Sequence, residues 1–206
     1  MQIYGDYHSG NCYKVAWVLH WLAIEHRWIA TDIVACDTHA AEFLASNPVG
    51  KVPLLLLDDG RTLSESNAII NYLSRDSALL PSDPYQFAKL LQWQFFEQYS
   101  HEPYIATARF INRYLGLPEA RRAEYAAKQQ GGHKALAVME QQLQRSSFLL
   151  GEQFSLADIT LYAYTHVAAE GGFELAGYPH IGRWLAAVAA QPNHLPMGVA
   201  PRSVVA

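Results

Sequence analysis

Cysteine and histidine are the residue types best suited to redox and metal chemistry, and their spacing here favours neither. The chain of 206 residues has two cysteines, Cys12 and Cys36, and nine histidines. The cysteines form no CxxC pair, and the histidines form no HExxH motif or paired ligand set. The sequence therefore predicts no metal site, no disulfide framework and reduced thiols, as is typical of a cytoplasmic protein.

A serine-rich turn at residues 64–66 could bind an anion. Ser64, Glu65 and Ser66 precede an apolar pattern at helical spacing, so a helix is expected to begin near Glu65. Serine hydroxyls and the free N–H groups at a helix N-terminus attract anionic groups. From these residues alone, we interpret Ser64 or Ser66 as an ordinary helix N-cap, and anion binding is the alternative.

Ser155 and Asp158 mark a second helix start. The Ser155 hydroxyl can cap the helix, and the Asp158 carboxylate can reach back to the Ser155 N–H. Phe154 and Ile159 occupy the hydrophobic-staple positions on either side. We interpret this segment as architectural, because it predicts where a buried helix begins.

The first part of the chain alternates strand-like and helix-like patterns. Strands are predicted at residues 2–7, 28–34, 54–57 and 61–63. A helical stretch is predicted directly after Gly10, with its apolar residues at helical spacing between 15 and 22, and further helices are predicted at residues 40–45 and 65–73. The order is βαβαββα, in which the early strands would pair in parallel and the last two would form an antiparallel hairpin.

The rest of the chain has helical patterns only. We expect a first domain at residues 1–76, a linker at residues 77–84 with Pro81 and Pro84, and an all-helical domain at residues 85–206. Pro103 should kink or interrupt a long helix, and the chain after Pro192 should be extended. An apolar stripe on that long helix is formed by Phe87, Leu91, Phe95 and Tyr99.

Composition excludes several classes of function. The chain is 50% hydrophobic and 17% charged, with a net charge of -4, which is typical of a folded globular protein. No basic run or stripe is present, so nucleic-acid binding is not expected. No apolar run is long enough to cross a membrane, and the N-terminus does not resemble a secretory signal.

Three separated segments together resemble the cytosolic glutathione transferase family. Residues 47–53 (NPVGKVP) resemble the loop before its central strand, and residues 63–69 (LSESNAI) resemble its glutathione-binding turn. Residues 150–158 (LGEQFSLAD) are similar to the capping-box segment of its helical domain. The resemblance implies an α/β thioredoxin-like N-terminal domain followed by an all-α domain, closest to the bacterial, serine/threonine-type, theta-like members.

The resemblance also implies where glutathione would bind. A cis peptide bond before Pro53 would leave the backbone of Val52 available to the cysteinyl part of glutathione. Ser66, at a helix N-terminus, would hold the γ-glutamyl carboxylate, and Glu65 would pair with the amino group. The candidate donors to the glycyl carboxylate are Thr38, His39 and Lys51, although a surface position would explain His39 equally well.

A hydrogen-bond donor to the glutathione sulfur is expected at the start of the first helix, because the thiolate is the nucleophile and must be stabilised. Residues 9–15 (SGNCYKV) resemble the serine/threonine-type pattern, in which a hydroxyl donates to the sulfur. Ser9 is therefore the main candidate. Asn11 is the second, because its amide could donate to the sulfur or hold Ser9 in place.

Two alternatives for the sulfur role stay open. Tyr7, or Tyr4, could act as the tyrosine does in other transferase classes. Cys12 could form a mixed disulfide with glutathione, although it falls later in the chain than that pattern requires.

The resemblance places the second-substrate pocket along the first loop and the long helices. The expected lining residues are Tyr7, His8, Tyr104, Ile105, Ala108 and Arg109. Apolar and aromatic lining would suit a hydrophobic electrophile, and ordinary packing would explain the same residues.

The activity that the resemblance implies is conjugation of the glutathione thiolate to a hydrophobic electrophile. Glutathione would be a co-substrate, no cofactor would be tightly bound, and the protein would be a cytoplasmic homodimer. The alternatives are a glutathione-dependent disulfide or peroxide reductase and a non-enzymatic binding module that has kept the fold.

Overall fold

Four strands near the N-terminus form one mixed sheet. They are β1 (Gln2–Gly5), β2 (Arg27–Ala30), β3 (Leu54–Leu56) and β4 (Thr62–Leu63), in the order β2-β1-β3-β4. β1 pairs in parallel with β2 and antiparallel with β3, which in turn pairs antiparallel with β4. This computed structural model, which describes residues 1–199, thus confirms the predicted mixed sheet.

Three helices accompany the sheet. They are α1 (Gly10–Trp21), α2 (Ala41–Ser46) and α3 (Ser66–Leu73). Because successive side chains of a strand face opposite sides, Ile3 and Tyr4 of β1 serve different packing layers. The Tyr4 ring packs edge-on against Phe43 of α2, with 6.0 Å between the ring centroids. α1 begins at Gly10, where the sequence predicts the helical stretch, and Ser9 caps it.

The described end of the chain, residues 193–199, packs with this first compact unit. Trp17 Nε1 donates to the Asn193 carbonyl at 2.8 Å, and the Tyr13 hydroxyl donates to the Leu195 carbonyl at 2.6 Å. The sequence places these residues in the second domain instead. The difference arises because polar tips on two aromatic side chains of α1 bind carbonyl groups of the returning backbone, which no local pattern reveals.

The second compact unit, residues 78–192, is built from helices. They are α4 (Pro84–Phe96), α5 (Glu102–Arg109), α6 (Arg122–Leu143), α7 (Leu156–Thr165) and α8 (Pro179–Ala189). A π-helical segment, Glu97–His101, joins α4 to α5 directly before Pro103, where the sequence predicts an interruption. Within residues 1–199, we find no helix that is both long and apolar enough to cross a membrane.

In two places, the burial of residues in this helical unit differs from the sequence prediction. Leu79, in the predicted linker, is buried, and its carbonyl accepts a hydrogen bond from the Leu156 N–H at 3.0 Å. Phe95 and Tyr99, from the predicted apolar stripe, are 70% and 86% exposed. Leu90 and Trp93 supply the buried face of α4 instead.

The start of α7 lies where the sequence predicts it, with Ser155 as the N-cap and Asp158 in the first turn. The buried Asp158 carboxylate accepts hydrogen bonds from the backbone N–H and the hydroxyl of Ser155, at 2.9 and 3.0 Å. Its other oxygen accepts from the Leu149 N–H and from Trp184 Nε1, both at 2.9 Å. A single side chain therefore joins the start of α7 to the preceding loop and to α8.

Candidate active site

Ser9 lies at the N-cap of α1, at the end of a tight turn. The Asp6 carboxylate accepts a hydrogen bond from the His8 N–H at 2.9 Å, which holds the chain in this turn. Ser9 has extended backbone angles, and its Oγ accepts from the Cys12 N–H at 3.4 Å. A hydroxyl can accept one hydrogen bond and donate another. Ser9 can thus cap α1 and still donate to an anion.

Asn11 and Ser66 meet between the first turns of α1 and α3. The Ser66 Oγ lies 3.0 Å from Asn11 Oδ1, and Ser66 is 5% exposed. Lys14 Nζ donates to Asn11 Oδ1 at 2.9 Å and lies 3.4 Å from Ser66 Oγ. The fold therefore brings Asn11, a predicted hydrogen-bond donor to the glutathione sulfur, within hydrogen-bonding distance of Ser66, which is predicted to bind the γ-glutamyl carboxylate.

The backbone around Val52 and Glu65 has two unusual conformations. The Val52–Pro53 peptide bond is cis, and β3 begins only at Leu54, so Val52 lies outside the strand. Glu65 has a φ of 67°, a left-handed value that is rare for a residue with a side chain. Strained backbone persists where the surrounding structure enforces it, often at functional sites. At this left-handed residue the Glu65 side chain is exposed, whereas the next residue, Ser66, is buried and begins α3.

His39, at the end of the 3-10 helix Asp37–His39, and Lys51, in the segment before β3, are candidate donors to the glycyl carboxylate, and both are exposed. Gly50, with a φ of +66°, carries the chain past His39: a Cβ atom there would lie 3.7 Å from His39 Cδ2. Thr38, the other candidate, is buried. Two exposed side chains able to carry positive charge, His39 and Lys51, thus lie on either side of the contact between Gly50 and His39.

The alternatives for the sulfur role have other functions in the packing. Cys12 is fully buried in α1, and burial raises the pKa of its thiol to about 12. A neutral, buried thiol is a poor nucleophile, which argues against a mixed disulfide at Cys12. Tyr7 stacks on Trp28, with 5.6 Å between the ring centroids and 18° between the planes.

The predicted second-substrate residues fall in both compact units. Tyr7 is half-buried and His8 is exposed on the turn before Ser9. The Tyr7 carbonyl accepts a hydrogen bond from the Gly198 N–H at 3.2 Å, and a Cβ at Gly198 would lie 3.2 Å from the His8 ring. The returning C-terminal segment therefore contacts the turn that carries both residues.

The other four predicted pocket residues lie on α5 and serve the packing of the helical unit. Ile105 and Ala108 are fully buried. The Tyr104 ring fills the space beside Gly131 of α6, where a Cβ would lie only 2.2 Å from it. Arg109 is 3% exposed and pairs with Glu170 at 2.7 Å. These contacts give each residue a structural role, and their role as pocket lining stays a prediction.

Lys14 is the candidate that sequence reasoning missed. It is 0% exposed, and its ammonium contacts two predicted site residues. The sequence shows only that Lys14 is the one formally charged residue among residues 12–19, and this pattern reveals neither its burial nor its partners. Among residues 1–199, we find no group of three or more acidic, histidine or cysteine side chains that could hold a metal ion.

The fold and these backbone features define a class of protein. A β2-β1-β3-β4 mixed sheet with a cis proline before β3, followed by a helical unit, is a thioredoxin-like domain joined to an all-α domain. The family model for the glutathione S-transferase N-terminal domain matches residues 8–76, and that for the C-terminal domain matches residues 92–192. The chain belongs to the cytosolic glutathione transferase family.

Individual relatives agree with this assignment. Glutathione S-transferase 3 of Zea mays is 32% identical over 204 residues, which cover 93% of this chain and 90% of the relative. A crystal structure of a glutathione S-transferase from Pseudomonas fluorescens Pf-5 has 57% identity and a TM-score of 0.93, over 95% of this chain and 98% of that one.

Two further relatives bear on ligand and function. Maleylacetoacetate isomerase from Methylobacterium extorquens AM1, solved with bound malonate and glutathione, has a TM-score of 0.79 at 27% identity, over 94% of each chain. Elongation factor 1-gamma of Danio rerio is 37% identical over 156 residues, or 73% of this chain. This chain spans only 34% of the length of that elongation factor.

Proposed function

We propose that this protein conjugates the thiolate of glutathione to a hydrophobic electrophile. The observation that supports the proposal most strongly is the 3.0 Å contact between Asn11 Oδ1 and Ser66 Oγ. This contact joins the residues expected at the two ends of the γ-glutamyl-cysteinyl part of glutathione. Family membership, and a relative solved with bound glutathione, support glutathione as the co-substrate.

Glutathione would lie across the starts of α1, β3 and α3. Its γ-glutamyl carboxylate would bind the Ser66 hydroxyl and the free N–H groups of α3, and Glu65 would pair with its amino group. The backbone of Val52, beside Pro53, would bind the cysteinyl part. His39 and Lys51 would supply donors to the glycyl carboxylate.

The chemical step needs a stabilised sulfur anion. The thiol would lose its proton to solvent, and the Ser9 hydroxyl would donate a hydrogen bond to the thiolate that remains, with Asn11 as a second donor or support. Positive potential at the N-terminus of α1 acts in the same direction. The thiolate would then attack the electrophilic carbon, and its leaving group would depart with the bonding electron pair.

Replacing Ser9 by alanine tests this mechanism. We expect Ser9→Ala to lower kcat/KM with chlorodinitrobenzene on the order of 100-fold, as loss of an anion-stabilising donor does, and to raise the pKa of bound glutathione. Steady-state kinetics and the ultraviolet absorbance of the bound thiolate would measure both quantities.

A control is needed because Ser9 also caps α1. Asp83→Ala removes a comparable cap, since the Asp83 carboxylate accepts from the Gln86 N–H at 2.8 Å at the start of α4. Both variants should lose stability by about 1 kcal/mol, and only Ser9→Ala should lose activity. Unchanged kinetics and thiol pKa in Ser9→Ala would exclude the role of Ser9.

The similarity to elongation factor 1-gamma favours a second candidate, a non-enzymatic binding module with the transferase fold. Isothermal calorimetry distinguishes the two candidates. The proposed transferase binds glutathione at millimolar concentrations or below, and a protein without any binding heat in that range would favour the module.

A glutathione-dependent disulfide or peroxide reductase is the remaining alternative. Burial makes a mixed disulfide at Cys12 unfavourable, and the reaction needs no protein cysteine if two bound glutathione molecules supply the two electrons. Disulfide reductase activity that persists in a Cys12→Ser, Cys36→Ser variant, together with negligible conjugation, would support this alternative.

We also propose a homodimer in the cytoplasm. Large apolar side chains exposed on one region of a protein often mark an interface. The helical unit exposes three such side chains on α4 and the segment after it, Tyr85, Phe95 and Tyr99.

A further inference from the structure

A lysine ammonium is fully enclosed beside the proposed glutathione site. Lys14 is 0% exposed, whereas lysines are almost never fully buried unless paired. Its Nζ donates to Asn11 Oδ1 at 2.9 Å and lies 3.4 Å from Ser66 Oγ. Asn11 and Lys14 are three residues apart in α1 and so share a face of that helix, whereas Ser66 begins α3.

The chemistry of these three groups determines which of them donates. An ammonium only donates, so the Asn11 carboxamide must present its oxygen, not its NH2 group, to Lys14. The same oxygen accepts from the Ser66 hydroxyl at 3.0 Å, which makes Ser66 the donor in that pair. A lone pair of Ser66 Oγ accepts from the Lys14 ammonium at 3.4 Å.

This arrangement has a consequence for ligand binding. To hold a carboxylate, the Ser66 hydroxyl must turn its proton away from Asn11 and towards the ligand. A buried acceptor that loses its donor costs free energy. Because Lys14 also donates to Asn11 Oδ1, the Ser66 proton can leave without stripping this acceptor of its donors.

We propose that Lys14 is a positioning residue that holds the Asn11 carboxamide in one orientation and frees the Ser66 hydroxyl to bind the γ-glutamyl carboxylate. The proposal rests on the glutathione site described under Proposed function. If Lys14 acts in this way, the contributions of Lys14 and Ser66 to glutathione affinity are coupled and not independent. The positive charge of Lys14 also favours an anionic group at this site.

The test is a double-mutant cycle on glutathione affinity. Lys14→Met keeps the length of the side chain but removes the charge and all donors. We expect Lys14→Met to raise the Kd of glutathione about tenfold or more, since hydrogen bonds to charged groups are among the strong ones. Ser66→Ala should raise the Kd by a much smaller factor in the Lys14→Met background than in the wild type.

Controls separate positioning from stability. Leu19→Ala, at another buried position of α1, creates a cavity at a residue that is five positions from Lys14 and so does not lie on the helix face that Lys14 shares with Asn11. It should lower the Tm and leave the Kd of glutathione unchanged. If Lys14→Met shows no cooperative unfolding transition, Lys14→Gln replaces it: we expect a Kd above that of the wild type, because a neutral amide binds the Asn11 oxygen less strongly.

The outcomes distinguish the inference from the proposed function. A wild-type protein that does not bind glutathione would overturn both. Wild-type binding with an unchanged Kd in Lys14→Met, or in Lys14→Gln where that variant is used, would overturn the inference alone. Effects of Lys14→Met and Ser66→Ala that simply multiply would overturn it as well, because independent residues behave in that way.

Discussion

Ser9 serves two purposes at the residue scale, and the two are chemically compatible. Its oxygen accepts from the Cys12 N–H as the cap of α1, and its proton can be donated to a sulfur anion. Asn11 differs, because its oxygen already accepts from Lys14 and Ser66. The carboxamide can therefore act on a ligand only through its NH2 group.

The two cysteines are expected to differ sharply in reactivity. Cys36 is exposed, whereas Cys12 is buried and the pKa of its thiol is raised to about 12. Ellman's reagent should therefore titrate one thiol quickly in the native protein and both thiols in denaturant, since the thiolate is the reactive form. Cys36→Ser should abolish the fast reaction, and a fast reaction that survives in this variant would contradict the burial of Cys12.

At the scale of elements, helix starts carry most of the interpretable information. Ser9 caps α1, Asp83 caps α4, and Asp158 accepts from Ser155 at the start of α7. Caps satisfy N–H groups that a helix leaves unpaired. The starts of α1 and α3 carry Ser9, Asn11 and Ser66, which belong to the candidate site, although, within residues 1–199, α3 itself has no side-chain cap.

Asp158 predicts a pH dependence of stability. Burial raises the pKa of its carboxyl to about 6, although its four hydrogen bonds oppose the rise. An unfolded aspartate titrates near a pKa of roughly 3.9, so between the two values the native state binds the proton more tightly. Stability contributed by this group is thus present below about pH 4 and lost as the pH rises to about 6.

Comparison with Asp158→Asn isolates this effect, because asparagine does not titrate. Urea unfolding at a series of pH values should show the wild type losing stability relative to Asp158→Asn from pH 4 to 7, by about 2–3 kcal/mol in total. Asp158→Asn itself should be less stable at every pH, since its NH2 group would oppose the donors of Ser155. A difference that is constant with pH would contradict the raised pKa.

At the scale of the whole molecule, the exposed aromatic side chains of α4 and of the π-helical segment after it predict the oligomeric state. Phe95→Glu with Tyr99→Glu should convert a dimer to monomers, because charged groups would replace apolar area in the interface. Sedimentation velocity would measure the change, with Val34→Glu, at a side chain 55% exposed in the first unit, as the control. A monomeric wild type, or a doubly substituted protein that stays dimeric, would contradict the proposed interface.

The sequence by itself was sufficient for the sheet, the order of most elements and the helix starts. Hydrophobic periodicity, the hairpin predicted from residues 54–57 and 61–63, and the Ser155–Asp158 pair all depend on residues close together in the chain, so the sequence alone reveals them. The segments at residues 47–53 and 63–69 likewise indicated the family, which the comparisons confirmed.

Only the tertiary structure decided which polar groups meet. Lys14 and Ser66 are 52 residues apart, so nothing in either segment reveals their contact. Residues 193–199 pack with the first unit because Tyr13 and Trp17 donate to their carbonyl groups, and such long-range pairing has no periodic signature. Burial likewise follows from the packing of neighbouring elements, which is why the charge of Lys14 became informative only in the folded chain.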